Sequence, residues 1–567
     1  MKLLRFITYS DFKFCRNYKR ASLDVFLKNI PKAYLLQFTA SLGYRLLYRE
    51  NSFDINNDTL ITLFFKQKRL LKKYSRVINK IRKDEKIDAI IFTPIANLKI
   101  QQYAIFKGNE KKKLKITKKI LRNLFKAYLY INETYNEKMN QTVEKLEDKS
   151  RINKLIFGYV TMLFPQIELV NSDVLDSYCQ FFKGIFFFKY LSESSLKDFI
   201  PLFLKSKGFS TWPEYMKVVN SINMSQTNLD KYVSQDKATY IITFATDLEK
   251  EINFMANLDV RLIDLKDYKY DDDDFKILRN FPVFRLTQHT FAFLNFKLFQ
   301  DKLFHSILFD FHKIYKETKK SISLPKFKQQ YYSKHFIEEY LLRYLLLNCF
   351  RGKFNVNKST AYNDFECSDY YLDSFNNLIL IECKDILVSE QIKNSFDPPS
   401  IIEYINKILV EDSGVTQIVN VLKKIDSGNS REVPIDNILN KFNKVFVYPV
   451  IIYTDKALDC NGINYHLNSI FMKEIAKINF NKIEVKNLIL ININTFIKYF
   501  ELFKKKRFNF LDYLKIYIKY LKTDDSELAD FNSIFIREVD KLKKKVKVTY
   551  TPILGEFWKN NDIKIDL

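Results

Sequence analysis

Apolar residues return at helical spacing through most of the first half of the chain. From Asn57-Asp58, suited to a helix N-cap, Leu60, Ile61, Phe64, Phe65, Leu71, Tyr74, Ile78 and Ile81 keep one helical face, and Ile116 to Ile131 repeats the pattern. Gly208-Phe-Ser-Thr-Trp212-Pro213 reads as a turn leading into another helix, with Pro213 near its first turn. Residues 1–265 are therefore predicted to be mainly helical. The pattern shifts at Asp271-Asp-Asp-Asp274, a charge cluster that reads as a surface loop. Phe281-Pro-Val-Phe-Arg and Thr290-Phe-Ala-Phe-Leu follow as two short strands, and a second break falls between Lys319 and Pro325.

Beyond that break helices and strands alternate, as in an α/β domain. A helix is predicted over about Tyr331 to Cys349, a strand near Phe354, and a hairpin turning at Ser374-Phe-Asn-Asn377. A helix over Val415 to Ile425 comes next, then strands over Lys444 to Thr454 and Asn487 to Asn494. Pro449 cannot donate to a ladder, which predicts an edge or a bulge for its strand. Asn509-Phe-Leu-Asp512 reads as the capped start of a final helix. The expected organisation is a helical region at 1–265 for substrate or partner recognition, a small α/β connector at 266–324, an α/β domain with a mixed central sheet at 325–500, and a helical extension at 501–567.

The length of 567 residues, 47% of them hydrophobic, suits two to four domains with real cores. A net charge of +26 creates a field attractive to polyanions, so nucleic acid is the first partner to expect, although AT-rich coding also inflates lysine. The basic residues come in runs at Lys66 to Arg82, Lys111 to Lys119, Lys504 to Arg507 and Lys541 to Lys547. The six cysteines are far apart and form no C-x-x-C pair, which argues against a disulfide framework and a zinc site and fits a reducing cytoplasm. Arg5 breaks the only apolar stretch at the N-terminus, a poor signal peptide. No apolar run reaches the roughly 18 residues of a membrane span, and Phe181 to Leu191 comes closest.

Chemistry gathers where the run Leu378-Ile-Leu-Ile381 meets Glu382-Cys383-Lys384. Side chains alternate along a strand, so Glu382 and Lys384 share a face. Glu-x-Lys occurs five times, starting at Glu110, Glu147, Glu317, Glu382 and Glu484. Only the Glu382 copy ends a strongly apolar strand and has an acid thirteen residues earlier, Asp369, a separation that permits a tight antiparallel hairpin. Two carboxylates beside an amine can hold a hard divalent cation near a water. His305 and His312, seven apart, offer a weaker pairing.

Asp369 followed by Leu378-Ile-Leu-Ile-Glu382-Cys383-Lys384 resembles the PD-(D/E)xK nuclease superfamily, the restriction-endonuclease-like fold, over about residues 325 to 495. The resemblance implies that Asp369, Glu382 and the backbone carbonyl of Cys383 ligate Mg²⁺ or Mn²⁺, and that Lys384 orients or deprotonates the attacking water. It implies a supporting acid on the preceding helix, Glu338 or Glu339, and a glutamine on the following one, Gln417. Ser368 stands where the family name has proline, and Val421 where some relatives place a tyrosine after the glutamine.

The function so implied is hydrolysis of phosphodiester bonds, with DNA before RNA as substrate and restriction or defence against foreign DNA as a setting. A homodimer or a partner protein fits cutting of both strands by a one-site chain. The alternatives are an RNA nuclease acting as a toxin, or a non-catalytic nucleic-acid-binding protein built on a nuclease-like scaffold.

Overall fold

A computed structural model of the chain describes residues 3–12, 22–48, 60–65, 68–85, 87–110, 116–143, 156, 158, 160, 162–169, 174–227, 240–270, 274–318, 322–359, 368–411, 414–428, 433–522 and 528–543. The N-terminal part is mainly helical, as its periodicity predicts. A parallel strand pair, β1 (Leu3–Phe6) and β2 (Ile87–Ile90), packs with the helices Lys32–Tyr48, Pro94–Lys107 and Lys118–Val143 into one apolar cluster. The helix expected from Leu60 to Ile81 is interrupted. Leu60 and Ile61 lead into a turn and the continuous helix is Lys68–Glu85, while Asn57 and Asp58 lie outside the described residues. Tertiary stacking overrides the period here: Phe64 lies against Phe92 at 5.1 Å and Phe65 against Tyr74 at 4.3 Å.

The strands predicted near Phe281 and Thr290 form as β4 (Val283–Arg285) and β5 (Thr290–Phe293), joined by β3 (Ile241–Thr243) in a small antiparallel sheet. The apolar run Phe181 to Leu191 lies in the Val174–Glu193 helix, and its phenylalanines fill a core. That helix approaches its neighbour closely because position 184 is glycine: a Cβ there would stand 2.2 Å from the Leu303 carbonyl oxygen. No helix among the described residues is long and apolar enough to cross a membrane.

Among the described residues the C-terminal sheet has six strands. β6 (Asn355–Lys358), β7 (Tyr370–Ser374) and β8 (Asn377–Lys384) run antiparallel in turn, and β9 (Val445–Tyr453) lies parallel to β8. The far side of β9 carries two short parallel strands, β10 (Ile483–Val485) and β11 (Ile489–Asn492). One face of the sheet packs on the helical region and the C-terminal helices through Ile379, Ile381, Val450 and Ile452. The other packs on Val415–Asp426 and Ile463–Ile475 through Leu378, Leu380, Val447 and Ile451. β8 is apolar on both faces because both are covered.

The edge position expected for the Pro449 strand is not what forms. β9 is interior, with β8 on one side and β10 and β11 on the other. The backbone explains how it tolerates proline. The Phe446 amide donates to Asn376 ahead of β8, whereas the Val445 amide donates to Lys482 and the Val447 carbonyl accepts from Lys486 on the opposite side. Alternation turns position 449 to that opposite side, where β10 pairs with 445–447 and β11 with 450–453. The missing N–H falls in the gap between the two short strands, so no ladder bond is lost.

Candidate functional site

The hairpin that builds the site is closed by Phe375 and Asn376, with Ser374 paired to Asn377. Phe375 takes a left-handed φ of 52° and is 83% exposed, so the turn gains nothing from burying its ring. From this register Tyr370 pairs with Ile381, and one step further Asp369 stands across from Glu382. The separation of thirteen residues is thus the hairpin register itself. Leu378, Ile379, Leu380 and Ile381 hold the strand in place, each side chain worth roughly 1.5–3 kcal/mol when buried.

Glu382 is 2% exposed and Asp369 6%. The Lys384 ammonium lies 2.7 Å from Glu382 Oε1 and donates to Gln417 Oε1 at 3.3 Å. Gln417 comes from the first turn of the Val415–Asp426 helix, which begins directly after Gly414 at φ 75°. A Cβ on Gly414 would meet the Leu409 carbonyl oxygen at 2.5 Å, so glycine allows the helix to start this close to the end of the preceding helix, Lys407–Glu411. Asp369 Oδ2 accepts the Cys383 amide at 2.6 Å. Because a residue's amide and carbonyl point to the same side of its strand, the Cys383 carbonyl is also directed towards β7 and Asp369.

Burial pushes the Asp369 carboxyl well above its ordinary range, and the neighbouring charges of Glu382 and Glu338 add to the rise; the Cys383 amide and Lys384 oppose it. Burial likewise raises the Cys383 thiol, with Asp369 and Glu338 adding to it, which disfavours the thiolate.

The two candidate acids on the preceding helix separate. That helix runs from Leu324 to Phe350, and its middle, Lys328–Leu342, is wound in the wider i→i+5 register. Glu338 faces the site and bears electrostatically on Asp369, and its backbone carbonyl accepts the Tyr370 hydroxyl at 3.2 Å. Glu339 turns away to Lys358 at 2.7 Å and His335 at 3.1 Å. Its partial burial favours the neutral form, but those two partners outweigh it and hold the carboxyl low.

Among the described residues no three His, Cys, Asp or Glu side chains converge as a ready-made metal cage. The donors offered are two opposed carboxylates and a backbone carbonyl, an all-oxygen set of the kind a largely hydrated Mg²⁺ takes. His305 and His312 share the His305–Thr318 helix without forming a pair: His312 bonds the Ile322 carbonyl at 2.9 Å and His305 lines a cavity. Asp271 to Asp273 lie outside the described residues, and Asp274 pairs with Lys276 at 3.2 Å.

A large cavity lies nearby, and none of Asp369, Glu382 and Lys384 lines it. Strand alternation sends Glu382 and Lys384 to one face of β8, while Asp385, one residue on, joins the cavity wall. No single run of sequence marks that cavity. Its charged residues come from positions as far apart as Glu168 and Lys456.

No protein-family model matches the chain, nor does any curated protein or solved structure.

Proposed function

We propose that the chain is a metal-dependent nuclease that hydrolyses phosphodiester bonds of DNA, acting in the cytoplasm, with restriction or defence against foreign DNA as its setting. The observation that carries this reading is the meeting of Asp369, Glu382, Lys384 and Gln417 at the carboxyl end of β8. The order of elements supports it: a helix, three antiparallel strands, a helix and a parallel strand are what a PD-(D/E)xK core requires. The excess of 26 positive charges suits a polyanionic substrate, and the four described cysteines are all free, as in a reducing compartment.

Asp369, Glu382 and the Cys383 carbonyl would hold Mg²⁺ or Mn²⁺. Such an ion, when bound, polarises the phosphodiester and eases departure of the leaving oxygen. Burial is the main reason Asp369 keeps its proton, and the neighbouring charges of Glu382 and Glu338, which a divalent cation would relieve, add to it. Glu338 adds to that negative potential. Lys384 has three N–H donors; Glu382 and Gln417 take two, and the third remains to orient a water or meet charge developing on a phosphate oxygen.

Plasmid nicking with Mg²⁺ tests the proposal. Wild type should nick, and Lys384→Ala and Glu382→Gln should each lose a factor of about 10²–10³ or more, the effect of removing one electrostatic contributor. Equal nicking by all three would sink the assignment. Offering RNA and DNA in the same assay decides the substrate.

A further inference from the structure

A cavity of about 900 Å³ lies outside the carboxyl ends of the parallel strands β8, β9 and β11, where ligands of α/β sheets commonly bind. Asp385 to Lys393 follow β8, Thr454 and Lys456 follow β9, and Asn494 follows β11; the other wall comes from Glu168 to Gln180, Asp274 to Asp310 and Leu324 to Ser333. The volume is that of a small-molecule site.

The wall is dense in charge, and most of that charge is matched. Arg279 pairs with Glu390 at 2.7 Å, Lys328 with Asp385 at 3.0 Å, and Lys456 with Asp176 at 2.8 Å. Lys393, 1% exposed, pairs with Glu168 and with Asp455 at 3.3 Å. Two ammonium groups have no direct ion pair among the described residues, with Asp301 acting on both from a distance. Lys297 is 6% exposed, lines the cavity, and makes no hydrogen bond or ion pair with any described residue. Lys302 is 7% exposed and donates to the Arg279 carbonyl at 2.9 Å, its one hydrogen bond among the described residues.

A lysine buried without a direct ion pair is costly, and the carboxylates that act on these two from a distance, Asp301, Asp176 and Asp310, already pair with Arg279, Lys456 and Lys207, so the two ammonium groups point to an absent counter-anion. Behind them Lys183, also buried, sits over the Phe304 ring at 5.0 Å, and burial brings Lys183 and Lys302 down to about 8. Burial, with Lys183 adding to it, also holds His305 in its neutral form. Apolar wall is present as well: Leu298, Leu324, and Phe309, which is 42% exposed.

We propose that this cavity is a second ligand site, distinct from the carboxylate site, which takes a small organic phosphate of about mononucleotide size, its dianionic phosphate on Lys297 and Lys302. A nucleic-acid strand fits the wall less well. A strand needs a row of unmatched cations, whereas here only two lack a direct ion pair among the described residues and carboxylates alternate with the rest. The site adjoins β8: Asp385, directly after Lys384, lines it and accepts from Ser333 at 2.7 Å and Thr454 at 2.8 Å besides its pairing with Lys328.

Calorimetric titration of the full chain with AMP, UMP, ribose 5-phosphate, inorganic phosphate and a 5′-phosphorylated tetranucleotide, without divalent cation, tests the site. At least one of the three small esters should bind saturably and about tenfold or more tighter than inorganic phosphate, because the apolar wall adds to the ion pair. Lys297→Met should lose about tenfold or more of that affinity, while its thermal midpoint without ligand stays level or rises, since an unpaired buried charge has gone. Lys302→Met should weaken binding too, and Glu382→Gln should leave it unchanged whether or not the protein is a nuclease. The proposal is overturned if no ester binds tighter than inorganic phosphate, if Lys297→Met binds like wild type, or if only the tetranucleotide binds.

Discussion

Replacing Lys384 with methionine keeps the length of the side chain and removes its charge. The ammonium lies 2.7 Å from Glu382, and the two side chains are 17% and 2% exposed, so solvent screens the pair weakly. At an effective dielectric of about 20 the gross attraction is about 6 kcal/mol, much of it offset by the cost of taking both ions out of water. Removing one partner of a buried pair costs about 3–5 kcal/mol net; partial exposure of Lys384 puts this case near 3. Glu382→Gln should cost less, because the amide still accepts from Lys384, the more exposed partner, and the repulsion on Asp369 is relieved. Both variants should lose cleavage. Urea midpoints in EDTA rank the three proteins, and added Mg²⁺ should narrow the gap for Lys384→Met, because a divalent ion can stand between the same carboxylates. A Lys384→Met protein that unfolds with wild type, or that still nicks DNA, would refute the reasoning.

Further outcomes follow from the same geometry. Gln417→Leu removes one acceptor of Lys384 and should cost about 1 kcal/mol of transition-state stabilisation, roughly fivefold in kcat with KM little changed. Asp369 keeps its proton to higher pH in the fold than in the unfolded chain, so its contribution to stability is present below about pH 4 and lost as pH rises through the folded value. In EDTA, urea midpoints should therefore show a downward component with rising pH that Asp369→Asn lacks; identical slopes would contradict it. Glu338→Gln should alter activity and its pH profile, whereas Glu339→Gln, which breaks only partly exposed pairs, should change stability by less than about 1 kcal/mol and leave cleavage intact. Affinity for a non-specific DNA duplex should fall steeply between low and moderate salt, and a flat response would argue against a basic binding surface.

The hairpin was legible because its register depends on spacing alone: thirteen residues between Asp369 and Glu382 and a short polar-flanked turn allow little else. Gln417 was legible as one polar position off an apolar helical stripe. The choice between Glu338 and Glu339 was not, because Lys328–Leu342 holds more residues per turn than a 3.6-residue reading assumes. Pro449 misled for a different reason. Proline is excluded from an interior strand only when its neighbour offers an acceptor at that level, and the break between β10 and β11 is a property of the neighbour. The cavity left no local trace, since Lys297 and Lys302 look like ordinary surface lysines in a chain so rich in them.

The ion network around Lys393 also constrains the order in which the molecule can be completed. Glu168 waits for a lysine 225 residues further along, and Arg279 waits for Glu390. At ribosomal speeds of about 5–20 residues per second the wait of Glu168 is on the order of ten to fifty seconds, during which the helical region and the connector hold acids and bases whose partners have not yet been synthesised. Those groups keep their water until the sheet arrives, so the helical region and the sheet reach their final packing together. Slowing translation between residues 280 and 390 should therefore prolong chaperone dependence, and an isolated N-terminal fragment should be the aggregation-prone form.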